Sequence, residues 1–189
     1  MNPRAIFGIG ALASLASSVT FAGLYLWPRL RTMDRERGLA SLVAPHMFLR
    51  FLGLSFLVPG VVSPSLPRAF AASAAYGDVI AGLLAIVATL ALRRYASRAA
   101  PLVWIFNVWG AADLLFAGIQ GMRTGLDPGA LGAAYFLPTF VVPPMLVAHG
   151  LTFLLLVRRP EAMRGRQSDV DPRASAARPV SSRTASAAP

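Results

Sequence analysis

Five apolar stretches occupy most of this chain, at approximately residues 5–27, 43–62, 69–92, 101–121 and 131–157. Each is close to the 20 or so residues that a helix needs to cross the hydrocarbon core of a bilayer. None shows the polar–apolar alternation of a strand, and a helix satisfies every backbone hydrogen bond within its own segment, as lipid demands. The joins are short: residues 63–68 (Ser63-Pro64-Ser65-Leu66-Pro67-Arg68) read as a tight turn, and 122–130, with Gly125 and Asp127-Pro128-Gly129, as another. Only 14% of the residues are charged, against about 25% in soluble domains, too few to cover a globular surface. The expected fold is all-α, a polytopic membrane bundle of five transmembrane helices.

The basic residues give this bundle an orientation. All 18 are arginine, and all but Arg50, inside the second stretch, alternate around the stretches: Arg4; Arg29, Arg31, Arg35 and Arg37; Arg68; Arg93, Arg94 and Arg98; Arg123; then a dense group from Arg158 to Arg183. Under the positive-inside rule this places the N-terminus outside and the C-terminus in the cytoplasm. Arg4, an apolar core and the small residues from Ala13 to Ser18 also fit a cleavable signal peptide. The four arginines that follow favour a retained span over that alternative. Met33–Ala44 reads either as an amphipathic segment on the inner surface or as a solvated loop, with Pro45 opening the second helix. Residues 160–189, rich in Ala, Ser, Arg and Pro, are expected to form a disordered basic tail.

The net charge of +10 sits beside apolar segments, which favours anionic lipid headgroups and argues against nucleic acid. There are no cysteines, so disulfides and thiolate chemistry are excluded. No phosphate loop, H-E-x-x-H or G-x-S-x-G motif is present. No catalytic residue or metal set is therefore assigned. An arginine-only, alanine-rich composition points to a GC-rich bacterium, and with the topology to its inner membrane.

Ionisable groups inside a span are expensive and are usually paired or functional. Here they are His46 and Arg50 in the second span, Asp78 in the third, Asp113 in the fourth and His149 in the fifth, with Asn107 as a neutral partner. At 1.5 Å rise per residue, Asp78 and Asp113 both lie roughly 18–20 Å from the inner ends of their spans; Arg50 and His149 fall beneath them at roughly 10–12 Å. Helical phase places His46, Arg50, Gly53, Leu57 and Gly60 on one face. Gly77, Ala81, Ala85 and Ala88 form a small-residue stripe beside Asp78, and Asn107, Gly110 and Leu114 share a face flanked by Asp113. The expectation is a polar seam of Arg50, Asp78, Asn107, Asp113 and His149. Two aspartates against one arginine leave one carboxylate in excess, open to a proton or a cation. The competing reading is that Arg50 pairs with an aspartate only to fix packing.

His46 and His149 could alternatively serve as axial ligands of a haem b from facing helices. Pro138, Pro143 and Pro144 interrupt the fifth span and read as a simple kink; the alternative is a broken helix that lines a binding cavity. Tyr25, Trp27, Tyr95 and Trp104 read as interfacial anchors.

From the second span onward the chain resembles the DoxX-like family of small four-helix bacterial membrane proteins. The resemblance runs over about residues 46–121 and is carried by Arg50-Phe51-Leu52-Gly53, Pro59-Gly60, Gly77-Asp78, Gly82-Leu83-Leu84 and Arg93-Arg94. It implies a four-helix bundle preceded by one added helix. The chain departs from that family in this first span, in Asp78 where glutamate is commoner, and in its proline-broken last helix. Three functions follow as expectations. One is an accessory subunit or small-solute or proton pathway built on the polar seam; another is an oxidoreductase component holding haem or quinone. The last is a scaffold whose tail recruits a membrane protein partner or a second copy.

Overall fold

A computed structural model describes residues 2–95 and 98–158. It contains five helices long and apolar enough to cross a membrane: α1 Pro3–Leu30, α2 Arg35–Leu57, α3 Arg68–Arg94, α4 Ala100–Arg123 and α5 Leu137–Val157. No β-strand forms among the described residues. The tail expected at 160–189 lies outside them.

Contacts between helix ends show that successive helices run up and down. Arg4, opening α1, donates from Nη2 to the Gly125 carbonyl just past α4 at 3.2 Å. At the other end Arg35 donates from Nε to Leu155 O at 3.0 Å and from Nη2 to Leu156 O at 2.7 Å, satisfying carbonyls that the last turn of α5 leaves open. The Arg158 guanidinium lies 4.2 Å from the centre of the Trp27 ring, joining the ends of α5 and α1.

Four helix boundaries differ from the expectation. The second helix begins at Arg35, not residue 43, so the stretch expected to be a surface segment or loop is its first two turns, Arg35–Val43. Arg35, Glu36 and Arg37 depress the local hydropathy, yet Leu39, Leu42 and Val43 are buried behind them. This helix also ends at Leu57, short of the expected residue 62. Gly60 lies beyond it in a turn with φ 86°, a conformation that favours glycine. The fifth helix starts at Leu137, not 131, because Pro128–Tyr135 is a separate 3₁₀ segment broken at Gly132. The first helix runs on to Leu30, past the expected residue 27 and through Pro28. A π-helical stretch at Ala22–Leu26 widens the turn in which the proline ring would crowd the chain.

The second half of α2 changes its winding. After Pro45, residues His46–Leu49 are α-helical and Arg50–Leu57 are 3₁₀. Three residues per turn bring i, i+3 and i+6 onto one line, so Arg50, Gly53 and Phe56 face inward together. Leu57, placed on this face by an α-helical phase, is instead 40% exposed.

The prolines of α5 have two distinct effects. Pro138 sits in a π-helical stretch, Leu137–Val141, where the Thr139 hydroxyl donates to Tyr135 O at 2.8 Å. Pro143 and Pro144 fall in the first turn of the α-helical part Val142–Val157.

Buried apolar residues form two clusters. One gathers Leu30, Leu39, Leu92, Val103 and Leu155 toward the arginine-rich end; the other gathers Phe56, Leu66, Phe70 and Leu131 toward the opposite end. The second is capped by two connections that bond to each other: Ser63 N donates to Ala130 O and Ala133 N to Val61 O, both at 2.9 Å. Gly132 makes this possible. Its φ is 53°, and an added Cβ would collide with the Val61 carbonyl. Gly132→Ala should cost roughly 1–3 kcal/mol from backbone strain alone, read as a lowered melting temperature of the purified protein.

Candidate functional site

Between the two apolar clusters lies a layer of buried polar groups. Arg50 is its centre and is 0% exposed. Its Nη1 donates to Asp78 Oδ1 at 2.7 Å and to Asp113 Oδ2 at 2.8 Å. Its Nη2 donates to the Gly110 carbonyl at 2.6 Å and faces His149 Nε2 at 2.8 Å. Four of the five guanidinium N–H groups are thus used, and Nε has no partner among the described residues.

The neighbours of His149 set its tautomer. A guanidinium donor at Nε2 requires a lone pair there, so the ring proton is on Nδ1, which donates to Asn107 Oδ1 at 2.7 Å. The Asn107 amide then donates from Nδ2 to the His149 carbonyl at 3.2 Å. Asn107 fixes the imidazole in both position and tautomer.

Glycines make room for each charged group. Asp78 on α3 sits over Gly53 of α2, and Asp113 on α4 sits over Gly77 of α3; a Cβ at either glycine would overlap the carboxylate. At Gly110 of α4 a Cβ would lie 2.6 Å from His149 Cε1 and 2.8 Å from Arg50 Nη2. Each polar side chain is therefore seated against the bare backbone of a neighbouring helix. These glycines were visible in the sequence only as small-residue faces; their role as seats depends on which carboxylate each one meets.

The expected seam of Arg50, Asp78, Asn107, Asp113 and His149 is brought together. Arg50 Cβ lies against Gly82, one turn along α3 from Asp78, and its guanidinium reaches up to both carboxylates. His46, read as a possible haem ligand, is adjacent, its ring 4.6 Å from that of His149 between centroids. Phe106 packs against both imidazoles at 5.2 Å. This does not fit a haem between the two histidines. The rings touch, leaving no gap for a porphyrin, and both nitrogens of His149 are already engaged. Among the described residues no three of His, Asp and Glu converge to hold a metal ion.

A cavity of about 800 Å³ reaches the site from the end of the bundle that carries Arg4. Its walls are apolar, with Phe7, Phe70, Gly118 and Met145 among them, and both Asp78 and Asp113 line it. Of the prolines of α5, Pro138 lines this cavity. Toward the opposite end the chain is closed: His46, Asn107, Phe106, Val43 and Val103 are each no more than 1% exposed. The site is a blind apolar chamber ending on two carboxylates that share one guanidinium.

Fold and site together define an all-helical protein with five helices of membrane-crossing length and a charged cluster buried at mid-length. The chain belongs to the family described as a domain of unknown function (DUF8737), which matches residues 6–157 and so covers all five helices. No curated protein and no solved structure matches it.

Proposed function

We propose that this is a multi-pass protein of a bacterial inner membrane, N-terminus outside and C-terminus cytoplasmic, that binds a small solute at the Arg50–Asp78–Asp113 cluster. One observation carries the reading: a chamber of about 800 Å³ with apolar walls that ends on charged groups. Its volume is that of a small-molecule site, and apolar walls with few convergent polar groups are the usual composition of such sites. The inner closure by His46, Phe106 and His149 favours a one-sided binding site over an open pore. The arginine distribution supports the orientation, since Arg4, Arg68 and Arg123 stand at one end of the helices and Arg29, Arg31, Arg35, Arg93 and Arg94 at the other. Kinship with the DoxX-like family is part of the proposal; Arg50 and Asp78, which carry that resemblance, are bonded partners here.

A second reading, an accessory subunit or homo-oligomer, is favoured by α1, only 6% of whose apolar window is buried. An outward helix of this kind has its surface free for lipid or for another helix.

The absence of native cysteine allows a direct test with single substitutions in intact cells. Ser65→Cys should react with a membrane-impermeant maleimide, and Thr32→Cys should react only after permeabilisation. Gly118→Cys, on the chamber wall, should react with N-ethylmaleimide in the folded protein. A reversed pattern at Ser65 and Thr32 contradicts the orientation. Reaction at Gly118 only after denaturation contradicts an open chamber.

A further inference from the structure

The charge and shape of the chamber define the class of molecule it takes. Asp78 and Asp113 carry two negative charges against the single positive charge of Arg50, and both bond to the same nitrogen, Nη1, at 2.7 and 2.8 Å. One carboxylate is therefore without a cation of its own. In a low-dielectric interior such an excess is costly and is relieved by a proton or by a second cation. Both carboxylates line the chamber, so a second cation can come from that side.

The walls decide which kind of cation fits. Calcium and magnesium take six or more oxygen ligands, and zinc takes three or four protein ligands. The chamber offers two aspartates whose bonding oxygens are shared with Arg50, and its remaining surface is almost wholly hydrocarbon. An organic cation meets both conditions, since an ammonium N–H donates to carboxylate and an apolar body fills the rest. The route in also favours a lipid-borne molecule. Arg4 and the Gly125 carbonyl are joined across the mouth, whereas one flank is formed by Leu115, Ile119 and Met122, exposed at 59, 47 and 77%. Residues that both line the chamber and are exposed on the outside of α4 fit an opening toward the bilayer.

We infer that the chamber binds an apolar molecule bearing one protonatable amine, which enters from the bilayer past α4 and places its ammonium against Asp78 and Asp113. This rests on the proposed binding function and deepens it. The amine supplies the missing positive charge. Arg50, held by Gly110 O and His149, stays in place as the fixed partner of both carboxylates.

The test uses the full chain in lipid nanodiscs and three matched probes: 4-phenylbutylamine, 4-phenylbutanol and 4-phenylbutanoate. Equilibrium binding should be saturable for the amine, at least tenfold weaker for the alcohol and undetectable for the acid. Asp113→Asn should reduce amine affinity at least tenfold and leave the alcohol unchanged. Gly118→Phe fills the wall where an added Cβ meets nothing within 4 Å; it should abolish binding of amine and alcohol alike without touching the charged groups. An amine that binds no more tightly than the alcohol overturns the amine assignment and leaves the chamber as a binding site. If none of the three binds saturably to the wild-type protein, the binding function falls with it.

Discussion

Arg50→Leu should largely prevent accumulation of folded protein, with a stability loss of roughly 3–5 kcal/mol or more, the cost of removing one partner from a buried ion pair. The size follows from what is left behind. Asp78 and Asp113 both bond to Arg50 Nη1, and without it two carboxylates face each other between apolar clusters with no cation. The Gly110 carbonyl and His149 Nε2 lose their donor as well. Arg50→Lys should rescue only in part, because one ammonium cannot reproduce the fork that reaches both carboxylates and α4 together. Yield of monodisperse protein in detergent and the melting temperature of the Lys variant measure both effects. Full stability of the Leu variant would mean that the ion pairs do not hold the helices.

Gly110→Ala should be nearly as damaging, at roughly 3 kcal/mol. A Cβ there lies 2.6 Å from His149 Cε1 and 2.8 Å from Arg50 Nη2, closer than atoms pack, and neither neighbour can yield. His149 is tied to Asn107 on one side and to Arg50 on the other, and Arg50 to three helices. Either α4 shifts away from α2 and α5 or the bond from Arg50 to the Gly110 carbonyl opens. Overpacking typically costs about 1–3 kcal/mol, and loss of a hydrogen bond to a charged group about 1.5–3 kcal/mol. Gly118→Ala, two turns along the same helix in open space, is the matched control. It should be neutral or stabilising by up to about 1 kcal/mol, the ordinary helix preference for alanine. Melting temperatures of the pair separate a local clash from a general effect of glycine.

Much of this site was legible in the sequence because helix geometry is regular. Asp78 and Asp113 lie in uninterrupted α-helices, so rise per residue placed them at one level. His149 and Asn107 also followed from phase and depth. The start and winding of α2 were misread for two reasons. The charges at Arg35, Glu36 and Arg37 hid the true start of α2, although the buried Leu39, Leu42 and Val43 behind them belong to the core. The 3₁₀ winding from Arg50 to Leu57 then turned Phe56 inward and Leu57 outward, which an α-helical phase cannot foresee. The contact of His46 with His149 depends on how closely α2 and α5 approach, and no single-helix pattern carries that. The prolines announced a break in α5 but not its form. At Pro138 it is a π turn, and at Pro143 and Pro144 it is the first turn of a helix.

If one guanidinium serves two carboxylates, the site holds one more acid than it needs for its own stability. Melting temperatures of Asp78→Asn, Asp113→Asn and the double variant test it most directly. Either single variant should be about as stable as the wild-type protein or slightly more so, because it removes the uncompensated charge and keeps an oxygen to accept from Arg50. The double variant should be less stable by several kcal/mol, since it leaves a buried guanidinium with no counter-charge. Single variants that each destabilise as much as the double would show that both charges are required to hold the helices, and would contradict the account.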